Sequence, residues 1–298
     1  MFKYMSEKVA PLFAKTVRVR FTQPFELNDP FEFRPFMDFE GTAESVRGVV
    51  DAKLTETFGT ADDALDFMAR LRAADPNYPK TVVPIEVFRK LIADNPTLQR
   101  QFMAEMEKFK AEVLDNKKMA LQWEARWEQF RRALGQSLGI FSLTEDPTQP
   151  LMWSHYAGQH YGVAVEFDEK HPWFDRKTSP ADDIRHLVRV SYVHDPHPRT
   201  WKQVNGADML YTKTAEWSYE REWRIIRPLK DGTEVGAGIV CFDVSPEAVR
   251  SIVLGWRTTT ALEQEIRTSV AANPALNHVS FRRAKLGGGG KIEIADAS

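Results

Sequence analysis

The chain has 298 residues, of which 43% are hydrophobic and 28% charged, a composition ordinary for a globular protein that argues against disorder. Its formal net charge of −2 excludes an overall basic field for nucleic acid, so a nucleic-acid partner would need a local patch. The single cysteine, Cys241, excludes an internal disulfide and a zinc cluster built from several thiolates.

Residues 1–20 contain no unbroken apolar run of signal-peptide length. No window of the chain approaches the roughly 18 to 20 apolar residues that a membrane span needs. The sequence therefore predicts a soluble, cytoplasmic protein without a membrane partner.

Short strands are predicted for residues 1–40. The segment Val17–Phe21 alternates apolar and basic residues, and a period of two sends its apolar side chains to one face of a strand. Asn28 and Asp29 stand before Pro30, and this order favours a turn because short polar side chains bond to nearby backbone while proline fixes φ.

Residues 41–135 are predicted to be almost wholly helical. The last helix of this block carries a stripe at spacings of three and four residues, which places the side chains on one face. The stripe is interpreted as a core face or an antiparallel helical hairpin, and the alternative is a dimerising or partner-binding face. Its members are Phe102, Met106, Phe109, Val113, Ala120, Trp123, Trp127, Phe130 and Leu134.

Strand patterns return in residues 136–298. A helix is predicted from Thr259 to Ala272, and Lys291–Ala295 is a candidate edge strand. The simplest fold is one α+β domain over residues 1–298, in which 1–40 and 136–298 form a mixed β-sheet, split or continuous, and 41–135 is a helical insertion. The other candidate strands are 139–143, 161–167, 187–192, 223–227, 237–244, 251–255 and 278–284.

Histidines occur in two segments that could contribute to a site. His155 and His160 lie in the aromatic-rich stretch 152–160, and no carboxylate stands between them at metal-binding helical spacing, so a zinc pair is disfavoured. The stretch is either a helix packed on the sheet, with His155 bonded to backbone, or the lining of a ligand site. His194 and His197 lie in a proline-rich loop and are interpreted as loop polar residues.

The segment Trp217–Ile226 carries the densest charge pattern. If it is extended, Glu220, Glu222 and Arg224 share one face. Two carboxylates aimed into a cleft can do acid–base work or stabilise a cationic transition state. The alternative is an exposed ladder of glutamate and arginine side chains, which alternating charge commonly produces.

With these residues in view, the chain resembles the bacterial family catalogued as domain of unknown function 2971. Met5 departs from the pattern, since family members usually carry arginine there. The resemblance spans nearly the whole chain, and the family label implies no established activity. It rests on Phe2-Lys3-Tyr4, Asn28–Glu32, Phe141-Ser142, Met152–Ala157, Gly162, Tyr192, Lys213, Trp217, Tyr219-Glu220, Glu222–Ile226 and Ile252–Gly255.

The order of these polar positions is also similar to that in ADP-ribosyltransferases, which bind NAD in the cleft of a split mixed sheet. This similarity implies that Glu222 stabilises the oxocarbenium and that Glu220 orients the acceptor. It further implies cofactor contacts from Lys3 or Arg20 to phosphates or ribose, from Ser142 and Thr144 on the nicotinamide side, from Trp153 or Tyr156 by stacking, and from Tyr4 and His155. Other expected site-lining residues are Asn28, Asp29, Glu32, Lys213, Tyr219 and Arg224.

The leading hypothesis is therefore an ADP-ribosyltransferase-like enzyme that uses NAD to modify a protein or nucleic acid, as a bacterial toxin or anti-phage effector. An antitoxin or another partner protein is the expected partner. A non-enzymatic ligand-sensing or partner-binding module is one alternative, and a metal-dependent hydrolase or nuclease is another. No metal ligands are assigned. In each case Asn28–Glu32, Met152–His160 and Glu220–Arg224 are expected to converge on one pocket.

Overall fold

The computed structural model describes residues 1–29, 31–34, 37–74, 85–194, 199–200, 202–204 and 206–297. The chain divides into two compact units. Unit 1 comprises Met1–Pro35, Arg131–His197 and Asn205–Ser298, and unit 2 comprises Phe36–Phe130 and Pro198–Val204. The single-domain assignment stays a prediction.

Unit 1 contains the strands. They are β1 (Phe2–Met5), β2 (Arg18–Phe21), β3 (Leu138–Thr144), β4 (Val163–Phe167), β5 (Val188–Arg189), β6 (Ser191–Val193), β7 (Thr212–Thr214), β8 (Glu222–Pro228), β9 (Thr233–Gly236), β10 (Ile239–Asp243), β11 (Val249–Leu254), β12 (Ser280–Leu286) and β13 (Ile292–Asp296). Within the described residues, eight of them form one sheet in the order β13-β12-β11-β4-β1-β3-β8-β5.

The sheet is mixed, since β11 and β12 run parallel while their neighbours pair antiparallel. Strand β1 lies in its middle and pairs with β4 at four positions but with β3 only at Phe2 and Thr144. The predicted α+β class with a mixed sheet is confirmed. The two halves of the sheet separate beside β1, and the cavity described below opens there.

Strand β2 belongs to a second sheet, in the order β2-β10-β9, which differs from the prediction that all flanking strands share one sheet. It pairs with β10 at four positions and meets the large sheet through a single bridge between Thr22 and Ile140. Val19 and Phe21 are nevertheless buried in the same core as Phe141 of β3. The inward-facing side chains of β2 therefore pack in the same core as the large sheet, although β2 belongs to the second sheet.

Helices cover both faces of the large sheet in unit 1. On one face, α1 (Ala10–Thr16) and α9 (Thr260–Ala271) bury apolar residues in the main core together with the second sheet. On the other face, α7 (Pro150–Tyr156) packs Met152 and Trp153 against Phe2 and Tyr4. The short helix α8 (Gly206–Tyr211) leads into β7.

Helices make up most of the described part of unit 2: α2 (Phe39–Thr57), α3 (Ala61–Ala74), α4 (Ile85–Ala93), α5 (Pro96–Val113) and α6 (Asn116–Ser137), which continues into unit 1. Residues 75–84 of the predicted helical block lie outside the described residues. None of the helices described is long and apolar enough to cross a membrane.

The stripe predicted for one long helix lies on two helices. Helix α5 is closed by Leu114, and Asp115 then accepts a hydrogen bond from the Lys118 N–H at the start of α6. The apolar repeat continues at seven-residue spacing from Val113 to Ala120, so the break leaves no mark in the pattern. Phe102 is buried in a core of unit 2, whereas Phe130 is half exposed.

Candidate functional site

A cavity of about 350 Å³ opens in unit 1 where β1 and β3 separate. Side chains reach it from β1, β3, α7, β8 and the segment after β2, so the three segments expected to converge do so. Its volume lies within the range of small-molecule sites. The predicted site residues that line it are Lys3, Tyr4, Arg20, Asn28, Glu32, Ser142, Thr144, His155, Tyr156, Lys213, Glu220, Glu222 and Arg224.

Glu220, Glu222 and Arg224 were expected to share one face if the segment was extended. The residues before β8 are not extended. Ala215–Glu220 is a 3₁₀ helix, and Arg221 ends it with a left-handed backbone, φ 43°. Strand β8 starts only at Glu222, so period two relates Glu222 to Arg224 but not to Glu220. The exposed-ladder alternative is wrong, because Glu220, Glu222 and Arg224 are 3%, 4% and 1% exposed.

Five buried charged residues form what we call the ion cluster: Glu32, Lys213, Glu220, Glu222 and Arg224. Arg224 donates to both oxygens of Glu222, from Nε at 2.7 Å and from Nη2 at 2.8 Å. Arg224 Nη2 also donates to Glu32. Lys213 Nζ donates to Glu220 at 2.6 Å and lies 3.4 Å from both Glu222 and Glu32. Three carboxylates thus share two cations.

The pKa values of Glu222 and Glu32 move in opposite directions. Burial alone raises the pKa of Glu222, but Arg224, Lys213 and a hydrogen bond from Ser142 outweigh it, so the pKa is lowered and the carboxylate stays ionised. Burial dominates at Glu32 and raises its pKa, with Glu222 adding to the rise against the pull of Arg224 and Lys213. Glu222 is therefore the firmly charged member of the pair.

Lys3 is a further cation on the cavity wall, outside the ion cluster. Its Nζ donates to the Ser142 carbonyl oxygen at 3.0 Å and lies 5.2 Å from the centre of the Phe141 ring. Burial lowers the pKa of Lys3 to about 8, against the opposing effect of Glu222 and Glu220. Arg20 also lines the cavity, but it pairs with Glu26 and both side chains are nearly half exposed.

Helix α7 contributes both to the core and to the cavity wall, so the two interpretations of this segment each hold for part of it. The Tyr156 hydroxyl donates to Glu220 at 2.6 Å, and burial raises the pKa of Tyr156. The His155 ring lies 6.1 Å from that of Tyr156. Trp153 points into the core, where its Nε1 donates to the Pro147 carbonyl oxygen at 2.7 Å.

Three predicted site residues do not line the cavity: Trp153, Asp29 and Tyr219. Asp29 is buried and accepts from the Phe31 N–H at 2.9 Å, which makes it part of the turn. The Tyr219 ring lies 6.5 Å from that of His155. Pro30 and His197 lie outside the described residues, and His194 is exposed on a bend after β6.

Sequence reasoning missed several contributors to the site. Thr22, Glu26 and Leu27 line the cavity. They lie in the chain between Val17–Phe21 and Asn28–Glu32, and this position was the available sign that they belong to the site. Ile140 and Leu143 also line it, but apolar strand residues indicate a core rather than a site. Tyr192 was noted only as a family position, and its hydroxyl accepts the backbone N–H of Glu222 at 2.9 Å.

Among the described residues, no three histidine, cysteine, aspartate or glutamate side chains are grouped so that they could hold a metal ion. The carboxylates of the ion cluster are instead occupied by Lys213 and Arg224. The hydrolase alternative therefore has no ligand set in the described part of the chain.

The family described as "Protein of unknown function (DUF2971)" has a model that matches residues 152–225. The matched stretch runs from α7 into β8 and contains four of the five members of the ion cluster. The resemblance predicted from the sequence is confirmed over these residues. No curated protein matches the chain. No solved structure matches it either. The similarity to ADP-ribosyltransferases stays a prediction.

Proposed function

We propose that the chain is an ADP-ribosyltransferase-like enzyme that binds NAD in this cavity and transfers ADP-ribose to a macromolecule. The observation that carries the proposal is an ionised, buried carboxylate, Glu222, on the wall of a cavity that also exposes Lys3 and Ser142. The acceptor is a protein or a nucleic acid, and the setting is that of a toxin or anti-phage effector kept in check by an antitoxin.

The reaction needs a negative group beside the sugar. The bond between nicotinamide and ribose breaks, nicotinamide leaves with the electron pair, and C1 of the ribose becomes positive. The acceptor then forms a bond to C1 and loses a proton. A fixed carboxylate in a site shielded from water stabilises that positive charge far better than water does. Arg224 and Lys213 keep Glu222 ionised in its buried position.

Lys3 is assigned to the diphosphate of NAD in this proposal. Its ammonium is contacted by a backbone carbonyl and an aromatic ring, so an anionic ligand group would supply the ionic partner. Arg20 is the weaker candidate because Glu26 already pairs with it. Ser142 bonds to Glu222 and is assigned to the nicotinamide side.

One observation favours the non-enzymatic binding module as a second candidate. Both oxygens of Glu222 already accept hydrogen bonds from Arg224, so the ion cluster is satisfied without any ligand. Such a cluster can serve purely as the rigid wall of a recognition site. The two candidates differ in whether NAD is consumed.

Glu222→Gln tests the catalytic role. The change keeps the size and removes the charge, so transfer from labelled NAD to cell extract is expected to fall by about a hundredfold or more, by analogy with loss of one electrostatic stabiliser. NAD binding, measured by calorimetry, is expected to persist. Glu263→Gln is the matched control, since Glu263 of α9 lies outside the cavity and pairs with Arg267 of α9 and Arg283 of β12.

Thermal unfolding of each variant comes first, because removing one partner of a buried pair costs roughly 3 to 5 kcal/mol and would imitate a catalytic loss. Undiminished transfer by a folded Glu222→Gln variant would contradict the assigned role. Absence of both transfer and NAD binding in the unaltered protein would favour the binding module.

A further inference from the structure

Three neighbouring side chains of unit 1, Tyr161, Trp256 and Arg257, form what we call the exposed patch, and none of them lines the cavity. Tyr161 follows the turn after α7, while Trp256 and Arg257 follow β11. Tyr161 and Trp256 are 40% and 37% exposed. The Arg257 guanidinium carbon lies 5.3 Å from the centre of the Tyr161 ring and 4.9 Å from that of the Trp256 ring. One arginine therefore contacts two aromatic rings at the surface.

The backbone beneath the exposed patch has a rare conformation. Gly158, Gln159 and His160 have φ angles of 54°, 55° and 73°, so three successive residues are left-handed. A left-handed backbone is disfavoured for residues that have a Cβ, and it persists only where the surrounding structure fixes it. The His160 carbonyl oxygen accepts a hydrogen bond from the Arg257 N–H at 3.2 Å, which ties this turn to the residues after β11.

A close approach of two backbone segments supports the exposed patch from below. The Gly255 N–H donates to the Gly162 carbonyl oxygen at 2.9 Å, and the Thr258 hydroxyl donates to the same oxygen at 2.9 Å. A Cβ on Gly255 would lie 2.1 Å from the His160 carbonyl oxygen, which is a backbone atom, so glycine is required there. The two turns are thus fixed to each other, and a surface that is ordered before binding loses less conformational freedom when a partner binds.

The charge of Arg257 is not balanced by a carboxylate. Among the described residues, none forms an ion pair with it. The ring of His160 lies 6.1 Å from that of Trp256, but burial, followed by the charge of Arg257, lowers the pKa of His160, so this ring is largely neutral at pH 7. The exposed patch therefore carries one positive charge beside two rings, and the planar guanidinium has the geometry to bind a carboxylate through two hydrogen bonds.

We propose that the exposed patch binds a protein partner that places an aspartate or glutamate on Arg257 and apolar side chains against Tyr161 and Trp256. Tryptophan, tyrosine and arginine are the residue types most enriched at the energetic centres of protein interfaces. A single-stranded nucleic acid is disfavoured, because its binding relies on several phosphate contacts, whereas the patch offers one cation on a chain of net charge −2. The patch lies outside the cavity, so the proposal does not depend on NAD chemistry.

Peptide selection on the purified full chain tests the proposal without NAD. A phage library of random short peptides is selected on the unaltered protein, and the affinities of synthetic copies of the enriched peptides are measured by calorimetry. These peptides are expected to carry an aspartate or glutamate beside apolar residues. Trp256→Ala and Arg257→Met should each weaken their binding by about tenfold or more, as for residues at the centre of an interface. Replacing the acidic residue of the peptide by its amide should weaken binding to the unaltered protein but add no further loss with Arg257→Met, since the two groups act as a pair.

Arg267→Met is the matched control, because Arg267 also lies over a ring, that of Phe281 at 4.3 Å, but is already paired with Glu263. Peptide binding should be unchanged in this variant. If thermal unfolding shows that Trp256→Ala does not fold, Tyr161→Ser makes the same test from the other ring. The proposal would be overturned if no peptide is enriched, if the enriched peptides lack acidic residues, or if they bind the folded patch variants as tightly as the unaltered protein. Binding of a fluorescein-labelled oligothymidylate that is lost in Trp256→Ala and Arg257→Met would overturn it in favour of a single-stranded nucleic acid.

Discussion

Strand β8 buries an arginine on each of its two faces, and different chemistry surrounds the two side chains. On the cavity face, Arg224 binds the carboxylates of Glu222 and Glu32 and the Leu210 carbonyl oxygen. On the opposite face, Arg227 lies in the main core, where the centre of the Trp173 ring is 4.2 Å from its guanidinium carbon. Arg227 also donates one hydrogen bond, from Nη2 to the Trp173 carbonyl oxygen at 2.6 Å.

The two environments shift the arginine pKa values in opposite directions. At Arg224, Glu222 and Glu32 outweigh burial and raise the pKa. At Arg227, burial lowers the pKa to about 10, and the aromatic rings of Phe21, Trp173 and Phe242 supply the contacts. The cavity face thus depends on mutual charge pairing, whereas the core face only accommodates a charge by packing.

Arg224→Met should break the cavity face most severely. It leaves Glu222 and Glu32 buried with only Lys213 as a cation, so the free energy of unfolding is expected to fall by roughly 3 to 5 kcal/mol. Urea unfolding followed by circular dichroism measures this loss. Arg250→Met is the matched control, because Arg250 pairs with Asp168 at the surface and should cost less than about 1 kcal/mol. Equal losses in the two variants would refute the dependence on pairing.

Acid should weaken the cavity face through Glu222. Its pKa is lower in the folded protein than the ordinary 4.5, so the stabilisation it provides is present above pH 4.5 and is lost as the pH falls below that value. The cost of Glu222→Gln in urea unfolding should therefore shrink by about 1 to 3 kcal/mol between pH 7 and pH 3. If the cost of Glu222→Gln grew as the pH falls, folding would raise the pKa of Glu222 and the prediction would be wrong.

Arg227→Met should have the smallest effect. The methionine keeps apolar contact with Phe21, Trp173 and Phe242, and the lost ring contacts and hydrogen bond are offset by removal of a buried charge. The free energy of unfolding is expected to change by less than about 1 kcal/mol, measured in the same urea series. A loss as large as that of Arg224→Met would show that rings hold a buried arginine as firmly as carboxylates do.

Residue patterns predicted much of unit 1 because short runs rich in apolar residues, bounded by turn residues, mark its strands. Strand β3 and strand β8 lie close to their expected positions. The sheet to which β2 belongs was not predictable, because its partner β10 is more than 200 residues away and local alternation carries no information on pairing. The left-handed Arg221 was likewise hidden, since arginine is not a residue that signals such a backbone.

The site could be predicted as a set of segments but not side chain by side chain. Trp153 and Tyr156 lie three residues apart on α7, and both are large aromatic residues, yet Trp153 enters the core and Tyr156 lines the cavity. Which of them faces a ligand depends on the rotation of α7 over the sheet, which no single-sequence pattern fixes. Glu32 was expected to line the cavity and does so. Its pairing with Arg224 was not predictable, because the two residues are 192 positions apart in the chain.

The central place of β1 has a consequence for the order of synthesis. Its neighbours β3 and β4 are completed only at residues 144 and 167, so both edges of β1 stay unpaired while more than a hundred residues are made. At about 5 to 20 residues per second, roughly 160 residues take about 8 to 32 seconds on the ribosome. During that time a short strand with two open edges is available for pairing with other segments, so the large sheet can be completed only after β4 has been made.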